Sequence, residues 1–173
     1  MKISRTLITF MLSFIAFFPA QAQTAVKAVT PDEDAALIDA VALLSEGRSD
    51  KARQILSDIV RNNPDNDAAF YYLGTCQLMQ KHPELAEKSL KRAVQLDSSN
   101  YWYRERLAMV YQMLDKEELT TVAYEDMLRD FPKKDDIHYQ LVNLYLRQNR
   151  LDKALETMDR IETLMGRNEN VTA

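Results

Sequence analysis

A constant interval of 34 residues constrains this chain more than any other feature. Ala52, Ala86, Thr120 and Ala154 fall in register at that spacing, and the segments around them align without a gap. A fixed period of this size marks an array whose units cannot bury their own apolar face and must stack on a neighbour. The register divides the chain into units at 33–66, 67–100, 101–134 and 135–166, between a segment 23–32 and a tail 167–173.

Each unit reads as two amphipathic helices. In unit two Phe70, Leu73, Gly74 and Gln77 recur at spacings of three and four, and Leu85, Ala86, Leu90, Ala93 and Val94 repeat the pattern after a turn. Unit three offers Leu107, Ala108 and Tyr111, then Tyr124, Met127 and Leu128; unit four offers Leu141, Val142 and Tyr145, then Ala154, Leu155, Met158 and Ile161. Each stripe requires burial against another element. Gly47 and Asn149, which tolerate positive φ, fall where the first helices of units one and four must stop. Pro64 and Pro132 close the second helices of units one and three, since proline cannot continue a helix beyond its first turn. No alternation of β-branched residues is sustained, so the fold class is all-α.

The units resemble the tetratricopeptide repeat. That pattern asks for a large apolar residue, a Leu followed by a small residue, an aromatic, then Ala, an aromatic or Leu, Ala and Pro. Unit two supplies Phe70, Leu73-Gly74, Ala86, Leu90 and Ala93, with Gln77 in the aromatic place and Ser98 in the proline place. Unit one departs furthest, with Asp39 where Leu is usual, although Ala40, Leu43, Ala52, Leu56 and Pro64 fit. The resemblance spans 33–166 and implies a right-handed α-solenoid, first helices lining a concave groove and second helices the convex side.

The first 22 residues stand apart. Lys2 and Arg5 precede a run from Leu7 to Phe18 that is nearly all apolar, and Ala20-Gln21-Ala22 supplies small residues at A-x-A spacing. This is the arrangement of a cleavable secretory signal. A membrane span needs about 20 apolar residues, and the run is shorter. The expectation is cleavage after Ala22 and an exported product, periplasmic or secreted, with no membrane insertion afterwards. Removal takes two positive charges from a formal balance of −4, which disfavours nucleic acid as a partner. The single cysteine, Cys76, lies within an apolar pattern and is expected to be buried.

Nothing in the chain has the spacing of a catalytic, cofactor or metal constellation. His82 falls in a turn, and His138 holds a place where the family packs a bulky residue. The run Asp32-Glu33-Asp34 opens a helix, where negative charge suits the positive end of the dipole. Binding is better supported. One residue around each first helix from its buried stripe lies a second stripe: Tyr71, Thr75, Leu78 and Met79; Trp102, Glu105, Met109, Gln112 and Met113; Tyr139, Asn143, Leu146 and Arg147. The resemblance places these in the groove and implies a protein or peptide partner there. The candidate site is Tyr71, Thr75, Met79, Trp102, Glu105, Met109, Met113, Tyr139, Asn143 and Arg147, with aromatic and Met side chains as adaptable anchors. Leu78 and Leu146 are expected to pack between adjacent first helices. Tyr71, Glu105 and Tyr139 stand where a carboxylate-gripping repeat needs Lys. At the C-terminal end Glu156, Thr157, Asp159, Arg160, Glu162 and Thr163 are expected to form a modest polar cap; the alternative function is a structural subunit or end segment of a larger envelope assembly or longer repeat array, self-associating through its ends.

Overall fold

The computed structural model describes residues 31–169. Within them eight helices follow in order: α1 (Pro31–Ser45), α2 (Ser49–Asn62), α3 (Asp67–Met79), α4 (Pro83–Leu96), α5 (Tyr101–Met113), α6 (Glu117–Asp130), α7 (Asp135–Arg147) and α8 (Leu151–Glu169). Successive pairs are the four units, stacked as a helical repeat solenoid. α1 starts at Pro31, inside the segment expected to precede the array, and α8 runs to Glu169 through residues expected as tail. The proposed signal segment 1–22 and residues 170–173 lie outside the described residues.

One device ends every first helix. Gly47, Lys81, Asp115 and Asn149 have φ of 75°, 62°, 53° and 56°. In each case the next residue returns its N–H to a carbonyl five residues back: Arg48 to Leu43 at 2.8 Å, His82 to Gln77 at 2.9 Å, Lys116 to Tyr111 at 2.9 Å and Arg150 to Tyr145 at 2.8 Å. This closure satisfies carbonyls the helix leaves open. Lys81 and Asp115 adopt a left-handed conformation costing about 1–2 kcal/mol for a residue with a Cβ, so the turn and not the residue type dictates the backbone there. The second helices of units one and three stop just ahead of Asn63-Pro64 and Phe131-Pro132, where the residue before proline is driven out of the helical region. Asn66 and Asn100 then open the next first helices, their side chains accepting from Ala69 N at 2.8 Å and Trp102 N at 3.1 Å.

Burial follows the junctions. Ala40, Leu44, Ala52 and Leu56 of unit one enclose Leu73 and Cys76 of unit two. Ala86 and Leu90 of unit two meet Leu107, Val110 and Tyr111 of unit three. Ala108, Tyr124 and Met127 of unit three meet Ile137, Leu141, Leu144 and Tyr145 of unit four. Each cluster joins two units, so stability is a sum of neighbour interfaces. Close approach within unit two depends on Gly74: a Cβ there would lie 2.6 Å from Leu90 Cγ. Cys76 is buried as expected, its Sγ–H donating to Ser49 O at 3.0 Å, and burial pushes the thiol pKa up. Three residues expected within buried stripes are instead exposed: Leu85 at 46%, Leu155 at 60% and Met158 at 46%.

Candidate functional site

The expected site residues divide into three groups. The first lies on α5, the first helix of unit three, which has packed neighbours on both sides. Trp102, Met109 and Met113 fall at intervals of seven and four, one face of a helix, and are 61%, 43% and 57% exposed. Large apolar side chains left open together in the middle of a stack are not explained by packing. Trp102 keeps its orientation through an edge contact with Tyr101, centroids 5.2 Å apart. Tyr101 in turn donates its hydroxyl to Glu105 at 2.9 Å and rests edge-on against Phe131. Burial and the carboxylate partner together push the Tyr101 phenol pKa up, so it remains a neutral donor. Glu105 therefore positions the aromatic pair.

The second group is on α3. Tyr71 is half-buried, stacked on Tyr103 with centroids 4.9 Å apart, and accepts from Arg106 Nη2 at 3.3 Å. Thr75 turns its hydroxyl back to the carbonyl of Tyr71 at 3.0 Å, which removes it as a free donor. Met79, 47% exposed, continues the open apolar surface. Leu78 packs against the cluster between units two and three, as expected.

The third group, on α7, owes its exposure to position in the stack. Tyr139 and Leu146 are each 50% exposed. The residues 34 earlier are polar: one is Glu105, which holds Tyr101, and the other is Gln112, itself exposed. Two repeats back, however, Tyr71 stacks on the next unit and Leu78 is covered by it. Leu146 is thus not packed between first helices as Leu78 is, and no described unit lies beyond unit four. Asn143 is exposed, and Arg147 reaches Glu117 of unit three at 3.2 Å. Tyr139, Asn143 and Arg147 belong to an end face as much as to a groove.

The ionic contacts between units run in one direction. Glu87 of unit two holds Lys116 of unit three at 2.6 Å and Lys91 of its own helix at 2.7 Å. Those hydrogen bonds keep its carboxyl pKa below the usual Glu range. Glu125 of unit three receives Lys153 of unit four at 3.1 Å, Arg150 at 3.8 Å and the Tyr145 hydroxyl at 2.5 Å. Burial alone would push Glu125 up, but these donors outweigh it and leave the carboxyl low. A carboxylate on one second helix thus meets bases of the following unit. These pairs, absent from the expected site, were visible only as charges.

His138 is packed, 4% exposed, with Nε2 at 3.1 Å from Pro132 O. A carbonyl only accepts, so Nε2 donates in this contact, and Nδ1 is buried with no hydrogen-bond partner among the described residues. It edges a cavity of about 410 Å³ lined by Leu128, Pro132, Glu156 and Arg160. Among the described residues no cluster has the makings of a metal site, and no helix is long and apolar enough to cross a membrane.

Two profiles of the tetratricopeptide repeat family match the sequence, one over residues 20–66 and 39–101 and the other over 121–165. Among solved structures, the crystal structure of MamA is similar at TM-score 0.72 and 18% identity, over 80% of this chain and 81% of that one. MamA AMB-1 matches at TM-score 0.69 and 20% identity, over 80% and 78%. MamA MSR-1 matches at 0.67 and 20%, over 79% of each chain. At these identities the likeness is one of fold.

Proposed function

The chain belongs to the tetratricopeptide repeat family, and from that premise we propose that it is a non-catalytic scaffold gripping an apolar peptide or helix of a partner protein. Trp102, Met109 and Met113 form the centre of the grip. The observation that carries this reading is their exposure in the interior of the array, where both neighbouring units are in place. Met79 and the upper edge of Tyr71 extend the surface towards unit two, and Tyr139 towards unit four. Met adapts its shape to a ligand and Trp supplies rigid area, a combination suited to a segment bound mainly by apolar contact. Arg106 and Arg147 are tied to Tyr71 and Glu117, so they orient the floor. The sequence of residues 1–22 supports placing the protein outside the cytoplasm, and its acidic balance argues against nucleic acid as the ligand.

The test is capture from native extract with the chain from Gln23 onward, beside a Trp102→Ala, Met109→Ala, Met113→Ala version of unchanged helicity. A partner retained by the first and lost by the second is the expected result. Equal retention of one partner by both versions removes the α5 stripe as the site.

A further inference from the structure

We propose that the C-terminal end of the array is a second docking site, separate from the α5 stripe, for an amphipathic helix of another protein that carries Lys or Arg beside an apolar ridge. Within each internal unit the second helix presents a receiving face to the next unit. In unit two that face is Glu87 and Leu90, 8% and 0% exposed; in unit three it is Thr121 and Tyr124, 2% and 5% exposed. The residues 34 further on are Leu155 and Met158, at 60% and 46%. Leu151, one turn earlier on the same face, is 55% exposed. Unit four is therefore apolar on its receiving face, where no described unit covers it.

The ionic half of the junction is present too. Asp159 stands 34 residues after Glu125, the carboxylate that takes Lys153 and Arg150 from the following unit. Among the described residues Asp159 makes no ion pair. Asp152 lies seven residues earlier on the same flank of the apolar stripe. A ridge flanked by carboxylates selects a helix with basic flanks.

The apolar half of the junction argues against a second copy as the occupant, although Arg48 and Lys51 of unit one stand three repeats before Arg150 and Lys153 and would meet Asp159. The stripe with which each unit enters its predecessor is Ala69, Leu73 and Cys76 in unit two, Tyr103, Leu107 and Val110 in unit three, and Ile137, Leu141 and Leu144 in unit four, all buried. In unit one it is Ala35, Asp39 and Ala42, all exposed. Head-to-tail stacking would press the Asp39 carboxylate onto the apolar Leu155 and Met158. A tail-to-tail pairing of two α8 helices would bring matching flanks together and set Asp152 against Asp159 of the other copy, a like-charge contact.

The probe is a labelled synthetic peptide of residues 133–153, which carries the entering stripe of unit four together with Arg150 and Lys153. It is titrated by fluorescence anisotropy against the chain from Gln23 onward. Saturable binding is expected, weakened roughly 30-fold or more by Leu155→Glu with Met158→Glu and unaffected by the Trp102, Met109, Met113 triple change. Asp159→Arg should weaken the native peptide and restore binding of a peptide bearing Arg150→Glu and Lys153→Glu. Binding indifferent to the two Glu substitutions, absence of binding, or failure of the charge reversal overturns the proposal. So does sedimentation showing that the unmodified chain self-associates and the Leu155→Glu, Met158→Glu version does not, which would make a second copy the occupant.

Discussion

At the N-terminal end of the stack, the face that elsewhere enters a neighbour is small and acidic, with Asp39 at its centre. At the C-terminal end, the face that elsewhere receives a neighbour is Leu155 and Met158, where the filled junctions have Glu87 or Thr121 beside Leu90 or Tyr124. Both ends have the same helix pair and left-handed turn, α8 being the longer at 19 residues against 14 for α2, and the turn does not distinguish their faces. The side chains at three positions do. One end is closed to further stacking by a charge that burial would strand, and the other is left open with a carboxylate in the place where a base is normally received. Polarity of this kind lets a repeat array present one sticky end without polymerising.

Opening the closed end should have the largest effect. Ala35→Ile, Asp39→Leu and Ala42→Leu copy the entering stripe of unit four onto unit one, where Arg48 and Lys51 already hold the places of Arg150 and Lys153. The expected outcome is mass that rises with concentration in sedimentation, as head-to-tail chains grow without closure. Adding Leu155→Glu should return the protein to its original mass. If the triple variant keeps that mass at every concentration, Asp39 is not what closes the end.

Interior and end should also part in stability. Leu107 is 8% exposed and fills the junction between units two and three. Leu107→Ala is expected to cost about 2–5 kcal/mol in chemical denaturation, and Met158→Ala under about 0.5 kcal/mol. Gly74→Ala comes between, at about 1–3 kcal/mol, because Leu90 must give way to the added methyl group. Equal effects of Leu107→Ala and Met158→Ala would mean that the end face is covered in solution.

Much of this was legible in the sequence, and the reasons are local. The 34-residue register fixed the helix pairs because the apolar spacing is short-range, and Gly47 and Asn149 marked two of the four left-handed closures. Lys81 and Asp115 did not announce theirs, since the turn imposes on them a conformation their side chains do not prefer. The α5 stripe was legible because Trp102, Met109 and Met113 lie off the buried face in the helical wheel. What was not legible was whether an apolar residue has a neighbour. Leu155 and Met158 share the pattern of Ala154 and Ile161, and only the position of unit four in the stack separates them. Thr157, expected on the polar cap, is 6% exposed and donates to Lys153 O at 2.8 Å; one residue of rotation, about 100° around the helix, exchanged cap and core.

A pH dependence should follow the filled ionic junctions. Lys116 and Lys91 hold the Glu87 carboxyl below its usual range, so the folded state favours the ionised form. The stability this supplies is present above the ordinary Glu value of about 4.3 and is lost as pH falls through the lower folded value. Urea midpoints should drop on acidification through that window, and Glu87→Gln should lower the midpoint at pH 7 while flattening the acid slope. Asp159→Asn at the open end should leave the pH 7 midpoint in place. An acid slope identical in Glu87→Gln and the parent chain would show that the junction is not held by this carboxylate.

The smallest expected effect is the most telling about the open end. Leu→Glu at a filled junction leaves a charge buried without a partner and should unfold the array, so Leu90→Glu is expected to abolish the cooperative transition. The same chemistry at Leu155, 60% exposed, exchanges one solvated side chain for another, and the expected change is within about 0.5 kcal/mol. A thermal melt of Leu155→Glu that overlays the parent means the apolar face contributes nothing to the fold of the isolated chain. Its hydrophobicity then needs another cause, and docking of a helix supplies one. A melt lowered by several degrees would instead place Leu155 within the fold's own packing, and the open end would cease to be a surface.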